Sequence, residues 1–212
     1  MILPFSAADV PQQGISVKAL TPSQTIGPFF AHCLTSENYG RNLITSNTIQ
    51  SHSDSKIRIT GKVFEGNGNY VPDAMIEIWQ CDAQGRLPTE HHGANTGFTG
   101  FARSGTDKNG RYVFETVKPG RINTPNKILQ APHIDVLVFG RGLLSHLYTR
   151  IYFADESCNS EDPILSAIED SERRSTLIAS RKSGPDNRAT YLFDIHLQGN
   201  SETVFFQWSE TV

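Results

Sequence analysis

His133 and Asp135 stand two residues apart in Ala131-Pro132-His133-Ile134-Asp135. On a strand both side chains leave the same face, where an imidazole and a carboxylate can serve as two metal ligands. Two donors do not close a metal site. The same pair also reads as the polar outer face of a strand whose inner face is Ile134, Val136 and Val138. His91-His92 lies in a loop beside Glu90; adjacent histidines point apart, and solvated loop histidines are commoner than ligands. Arg141 sits between Gly140 and Gly142 at a strand end. There a guanidinium can grip a carboxylate with two parallel hydrogen bonds, although an ordinary exposed arginine would have the same neighbours. Thr25-Ile26-Gly27-Pro28-Phe29 offers a hydroxyl, a backbone open to close approach and a ring, or simply a turn. Glu77 and Trp79 share a face opposite Ile76 and Ile78, and a tryptophan there reads first as packing. Gly66-Asn67-Gly68 lacks the lysine and the helix that a phosphate loop requires. No nucleophile triad is readable, since triad order is free.

These side chains need strands to hold them. Ile57, Ile59 and Val63 alternate with Arg58, Thr60 and Lys62, the period-two pattern of a half-buried strand. The turn Glu65-Gly66-Asn67-Gly68-Asn69 follows, and Ala74, Ile76 and Ile78 resume the alternation. After Asp107-Lys108-Asn109-Gly110 come Tyr112, Phe114 and Thr116; further strands carry Ile134, Val136 and Val138, then Thr149, Ile151 and Phe153. Tyr191, Phe193, Ile195 and Leu197 alternate cleanly, and Val204, Phe206 and Trp208 close the chain. Short strands separated by turn signals predict a mainly β fold, an antiparallel β-sandwich with long loops. Residues 162–180 depart from this pattern. They begin Asp162-Pro163, contain Ile164, Leu165, Ile168, Leu177 and Ile178, and predict one or two short helices in a loop. Residues 1–20 read as a flexible N-terminal arm, residues 21–56 as a segment laid on a partner, and residues 57–212 as the sandwich.

Composition bounds the function classes. The 212 residues suffice for one large domain with a buried core. The balance of 19 basic and 22 acidic side chains gives a net charge of -3, which offers no basic surplus for nucleic acid. No stretch is long and apolar enough to span a bilayer. The opening MILPFSAADVPQQG lacks a basic region followed by an apolar run, so no secretory leader is expected. Cys33, Cys81 and Cys158 are odd in number and widely spaced, which predicts reduced thiols in a cytoplasmic protein.

Several separated segments, taken in order over residues 21–208, resemble the intradiol ring-cleavage dioxygenases. They are Thr21-Pro22-Ser23-Gln24-Thr25-Ile26-Gly27-Pro28-Phe29-Phe30; Ile59, Gly61 and Val63 with Gly68, Val71, Ile76-Glu77-Ile78-Trp79-Gln80 and Gly85-Arg86-Leu87; Val117-Lys118-Pro119-Gly120; Ala131-Pro132-His133-Ile134; Arg141-Gly142; and Tyr191-Leu192-Phe193-Asp194-Ile195. The resemblance implies an enzyme that opens a catechol ring between its two hydroxyls with O2, using Fe(III). In iron-binding chains of the family, two tyrosines and two histidines hold the metal, and an arginine three residues before the first histidine assists. The matching positions here are Leu87, Ile122, His133, Asp135 and Gln130. Leucine and isoleucine carry no donor atom, so the resemblance implies a degenerate former metal site in this chain.

The expected role is therefore that of an alpha chain paired with a homologous beta subunit that holds the iron, in a higher-order alpha–beta oligomer acting on a small aromatic substrate and O2. The resemblance would place Thr25, Gly27, Pro28 and Phe29 at the substrate end of the partner's site, with Arg141 near its entry or near a substrate carboxylate. Phe29 replaces a tyrosine common in relatives. Four other readings stay open: a dioxygenase subunit acting on a different catechol, an autonomous metalloenzyme built on His133 and Asp135 with or without His91 or His92, a non-catalytic β-sandwich binding module, and a structural homo-oligomer.

Overall fold

A computed structural model describes residues 24–27, 30–35, 56–88, 98–124, 128–183 and 188–207. The first long strand, β1 (Lys56–Phe64), alternates half-buried and buried residues along its whole length, as its period-two sequence predicts. The turn after it closes where Gly68 N–H donates to the Glu65 carbonyl at 2.9 Å. Strands β2 (Met75–Trp79), β3 (Phe101–Gly105) and β4 (Arg111–Val117) follow. The turn before β4 is fastened by the Asp107 carboxylate, which accepts from the backbones of Asn109 and Arg111. A two-residue hairpin, β5 (Ile122–Asn123) with β6 (Leu129–Gln130), then precedes β7 (His133–Phe139) and β8 (Leu147–Phe153).

β9 (Ile178–Ser183), β10 (Ala189–Leu192) and β11 (Ile195–His196) complete the strands. Hydrogen bonding runs in the order β11-β1-β10-β9-β8-β7-β2-β3, with β4 also paired to β1. β9 belongs to both halves of this path, so the sheet doubles over and becomes a sandwich. β1, β4 and β10 face β2, β3, β7 and β8 across one core that contains Ile59, Phe114 and Tyr191 from one half and Ile76, Ile78, Ile134, Val136 and Ile151 from the other. Most ladders are antiparallel, as expected, but β1 runs parallel to β10 and β11, and β8 runs parallel to β9.

The segment 162–180 holds two short helices, α2 (Pro163–Ser166) and α3 (Ser171–Ser175), numbered after α1 (Phe30–Leu34) near the N-terminus. Asp162 caps α2: its carboxylate accepts from the backbones of Ile164 and Leu165. The same fully buried carboxylate accepts from Ala131 N–H and from the Tyr152 hydroxyl, which ties the helix to the strand bearing His133. Ile178 belongs to β9 and not to a helix. The sequence cannot separate the two, because this strand carries little alternation beyond Ile178 and Ala179. The Tyr191–Leu197 alternation also breaks in two. β10 ends at Leu192, and the chain swings across Gly61 before β11 begins. Val204 lies outside any strand, Phe206 makes a single bridge to Tyr148, and Trp208 lies outside the described residues.

Candidate functional site

β7 carries candidate chemistry at both ends. At its start, His133 and Asp135 leave the face opposite Ile134 and Val136, as period two dictates. That face is not a solvated outer surface here. His133 is 2% exposed, with its ring against Tyr152 at 5.6 Å between centroids. Leu87 arrives from the loop after β2, and Ile122 from β5. With Trp79, Gln80, Cys81, Pro88, Thr99 and Gly100, these four positions surround one pocket of about 250 Å³. Gln130 sits on β6 opposite Ile122, outside the lining. His91 and His92 lie outside the described residues.

The polar end of the pocket is held by cross-strand pairing. Asp135 lies opposite Arg150 in the β7–β8 register, and Tyr148 and Tyr152 share Arg150's face. Asp135 Oδ1 accepts from the Tyr148 hydroxyl at 2.6 Å and pairs with Arg150 Nε at 2.9 Å. Burial pushes the Tyr148 phenol up to about 12, and the Asp135 charge adds to the effect. Burial alone would lower the Arg150 guanidinium, but the carboxylate beside it holds its pKa above the ordinary value. His133 is pulled below the usual imidazole range, first by burial and then by the Arg150 charge. Its Nδ1 lies 2.8 Å from the Ala131 carbonyl, which can only accept. The ring is therefore neutral with its proton on Nδ1, and Nε2 keeps a lone pair. Burial, then Asp82, raises the Cys81 thiol to about 12, so it is no nucleophile at neutral pH.

The donor set does not fit ferric iron. That hard ion favours anionic oxygen ligands. Leu87 and Ile122 supply no donor, and the Asp135 charge is already engaged by Arg150. Among the described residues, no three His, Cys, Asp or Glu side chains gather in a way that could hold a metal.

At the far end of β7, on the order of 15–20 Å away along the strand, Gly140-Arg141-Gly142 joins the N-terminal segment. Thr25 Oγ1 accepts from Gly142 N–H at 2.9 Å across 117 positions of sequence. Arg141 Nε is ion-paired with Asp73, and its side chain is 57% exposed. Asp73, Arg141 and Gly142, together with Glu65, Tyr70 and Gln198, border a second depression of about 500 Å³, which shares no lining residue with the first. Gly27 is exposed nearby in sequence, while Pro28 and Phe29 lie outside the described residues. Two of the expected substrate-end residues, Thr25 and Arg141, thus come together; the four degenerate positions meet elsewhere.

Sequence reasoning missed Arg150, Tyr148 and Asp73. Tyr148-x-Arg150-x-Tyr152 was a readable alternation of large polar groups, but only strand register shows that it faces Asp135. Nothing in the sequence linked Asp73 to Arg141.

Comparisons with known proteins agree with this architecture. A family described as "Dioxygenase" matches residues 26–199. The protocatechuate 3,4-dioxygenase alpha chain of Burkholderia cepacia is 47% identical over 194 residues, covering 88% of this chain and 96% of the relative. The alpha chain from Pseudomonas putida is 40% identical and covers 89% and 96%. The beta chain of the Burkholderia cepacia enzyme is 32% identical and covers 76% and 72%. Among solved structures, the dioxygenase domain of a carbohydrate-binding fusion from Streptomyces sp. SirexAA-E superposes with a TM-score of 0.57 at 24% identity, covering 84% of this chain and 98% of that domain. At that identity the match speaks for the fold alone.

Proposed function

The chain belongs to the intradiol dioxygenase family and stands by close homology with the alpha subunits of protocatechuate 3,4-dioxygenase, and from this premise we propose that it serves as the iron-free subunit of a ring-cleaving enzyme. A homologous beta chain would hold Fe(III), which supplies the oxygen chemistry. The substrate proposed is protocatechuate, opened between its hydroxyls by O2 to 3-carboxy-cis,cis-muconate. One observation carries the reading. The four positions that match the family's metal ligands line a single pocket, and two of them, Leu87 and Ile122, bear no donor.

The proposed contribution of this chain is positioning and charge. Thr25, Gly27, Pro28 and Phe29 would wall the substrate end of the partner's site, and Arg141 would meet the substrate carboxylate. The Thr25–Gly142 bond supports this, because it fastens the N-terminal segment to the arginine's own loop. The distance of that loop from the chain's own pocket also fits service to a neighbour. Asp73 engages Nε, and a guanidinium has four further N–H donors. Residues 21–56 are proposed as the partner-contacting segment and residues 1–20 as an arm. A cytoplasmic location suits three unpaired cysteines; among the described residues no helix is long and apolar enough to cross a membrane.

Co-expression with a beta chain that carries tyrosine at both donor positions tests the assembly. The two chains should co-elute in fixed ratio, at a mass above that of either chain alone. Separate elution, with this chain forming only copies of itself, would favour the homo-oligomer instead.

A further inference from the structure

The pocket at the start of β7 has the makings of a binding site of its own. Apart from the Trp79 indole N–H, its side-chain donors are spent internally. Gln80 Nε2 donates to the Cys81 and Val117 carbonyls, the Cys81 thiol to the Gly120 carbonyl, and the Thr99 hydroxyl to the Phe101 carbonyl. Two acceptors remain among the described residues. His133 Nε2 has no hydrogen-bond partner, although the side chain is 3% exposed, and it stands 4.0 Å from Asp135 Oδ1. Both the Tyr148 and the Arg150 contacts fall on Oδ1, which leaves Asp135 Oδ2 as a further acceptor. Asp135 is partly open to solvent, but His133 Nε2 is an unpaired acceptor on a nearly buried side chain that lines the pocket, so an occupant that brings an O–H is favoured.

Charge narrows the occupant further. Two acceptors repel an anion. A cation gains little, because Arg150 already neutralises Asp135. The remaining walls are Trp79, Leu87, Pro88 and Ile122, apolar and in part aromatic, which suits an apolar ring. About 250 Å³ holds one ring and not a fused system.

We propose that this pocket binds an uncharged single-ring phenol without metal, with the phenol O–H donated to His133 Nε2 and the ring held between Trp79, Leu87 and Ile122. The site does not depend on whether the chain pairs with an iron-bearing partner. Nor does its occupant resemble a carboxylated substrate, because His133 Nε2 presents a lone pair and no donor.

Fluorine NMR of 4-fluorophenol with the full chain tests it. The resonance should shift saturably. 4-Fluoroanisole has the ring but no donor, and 4-fluorobenzoate has a charge in its place; each should bind about tenfold more weakly or worse, the worth of one hydrogen bond to a charged or buried acceptor. Leu87→Trp blocks the mouth from a position 59% exposed, so folding should tolerate it, and it should abolish the shift. His133→Phe should weaken phenol to the level of anisole. Equal binding of phenol and anisole, an unchanged shift in Leu87→Trp, or no saturable shift in the wild-type chain would each overturn the proposal.

Discussion

In a complex with an iron-bearing beta chain, Arg141→Ala should raise KM for protocatechuate about tenfold to a hundredfold while changing KM for catechol less than about threefold. The two substrates differ by the carboxylate. A hydrogen bond to a charged group contributes about 1.5–3 kcal/mol, and each 1.4 kcal/mol is about a factor of ten. That interaction exists in ground state and transition state alike, so the loss should fall on KM with kcat little changed. Stability is a poor alternative explanation. The Arg141 side chain is 57% exposed, and exposed ion pairs are worth about 0–1 kcal/mol. Equal losses for both substrates would mean that Arg141 shapes the complex and does not read the carboxylate. Asp73→Asn offers a finer test. It removes a carboxylate that competes with the substrate's for the guanidinium, so it should shift the protocatechuate KM in the opposite direction, downward, by a smaller factor.

Gly61→Ala should produce the largest loss of stability from removing no atoms at all. A Cβ at this position would lie 1.7 Å from the Phe193 carbonyl oxygen. That carbonyl accepts from the Tyr112 hydroxyl at 2.6 Å, and Phe193 N–H donates to the Thr60 carbonyl at 2.9 Å. Relief of the clash must move the backbone between β10 and β11 and strand a hydroxyl that is fully buried; burial already drives the Tyr112 phenol well above its ordinary pKa. Overpacking and one unsatisfied buried donor sum to about 3 kcal/mol or more. At about 2–4 °C per kcal/mol for a chain of this size, Tm should fall by about 10 °C. Gly68→Ala makes the comparison. Its φ is +81°, but a Cβ there meets nothing within 4 Å, so only the left-handed backbone is penalised, at about 1 kcal/mol. Similar midpoints for the two variants in a denaturant titration would contradict the packing described around Gly61.

These examples show where sequence was informative. β1 was legible because one face is buried and the other half-exposed, so alternation survives over nine residues. The turns at Gly68 and Gly110 were legible from residue type. β3, whose Phe101–Gly105 run holds a glycine, two small residues and an arginine, gave no such signal. β9 was hidden because its polar end faces outward, which leaves only Ile178 and Ala179 as apolar signal. The break between β10 and β11 was illegible for the same reason that Gly61 matters: a backbone crossing is a tertiary event, and Phe193 still alternates as though the strand continued.

The site divides similarly. Leu87, Ile122, His133 and Asp135 were found through motif resemblance, and the fold brings them to one pocket. Gln130 was aligned to the same function but stands outside that lining, because the short β5–β6 hairpin places it opposite Ile122. Thr25 and Arg141 were named separately, and only the fold shows the bond between Thr25 and Gly142. Arg150, which pairs with Asp135, needed the β7–β8 register to be noticed.

The central claim is that this chain contributes no iron site and acts through a partner that does. Iron content and protocatechuate cleavage, measured for the purified chain alone and again after co-expression with a tyrosine-bearing beta chain, test it most directly. The account predicts no stoichiometric iron and no ring opening in the chain alone, and both in the complex. Iron and turnover in the isolated chain would contradict it, and would require donor groups beyond His133 and Asp135.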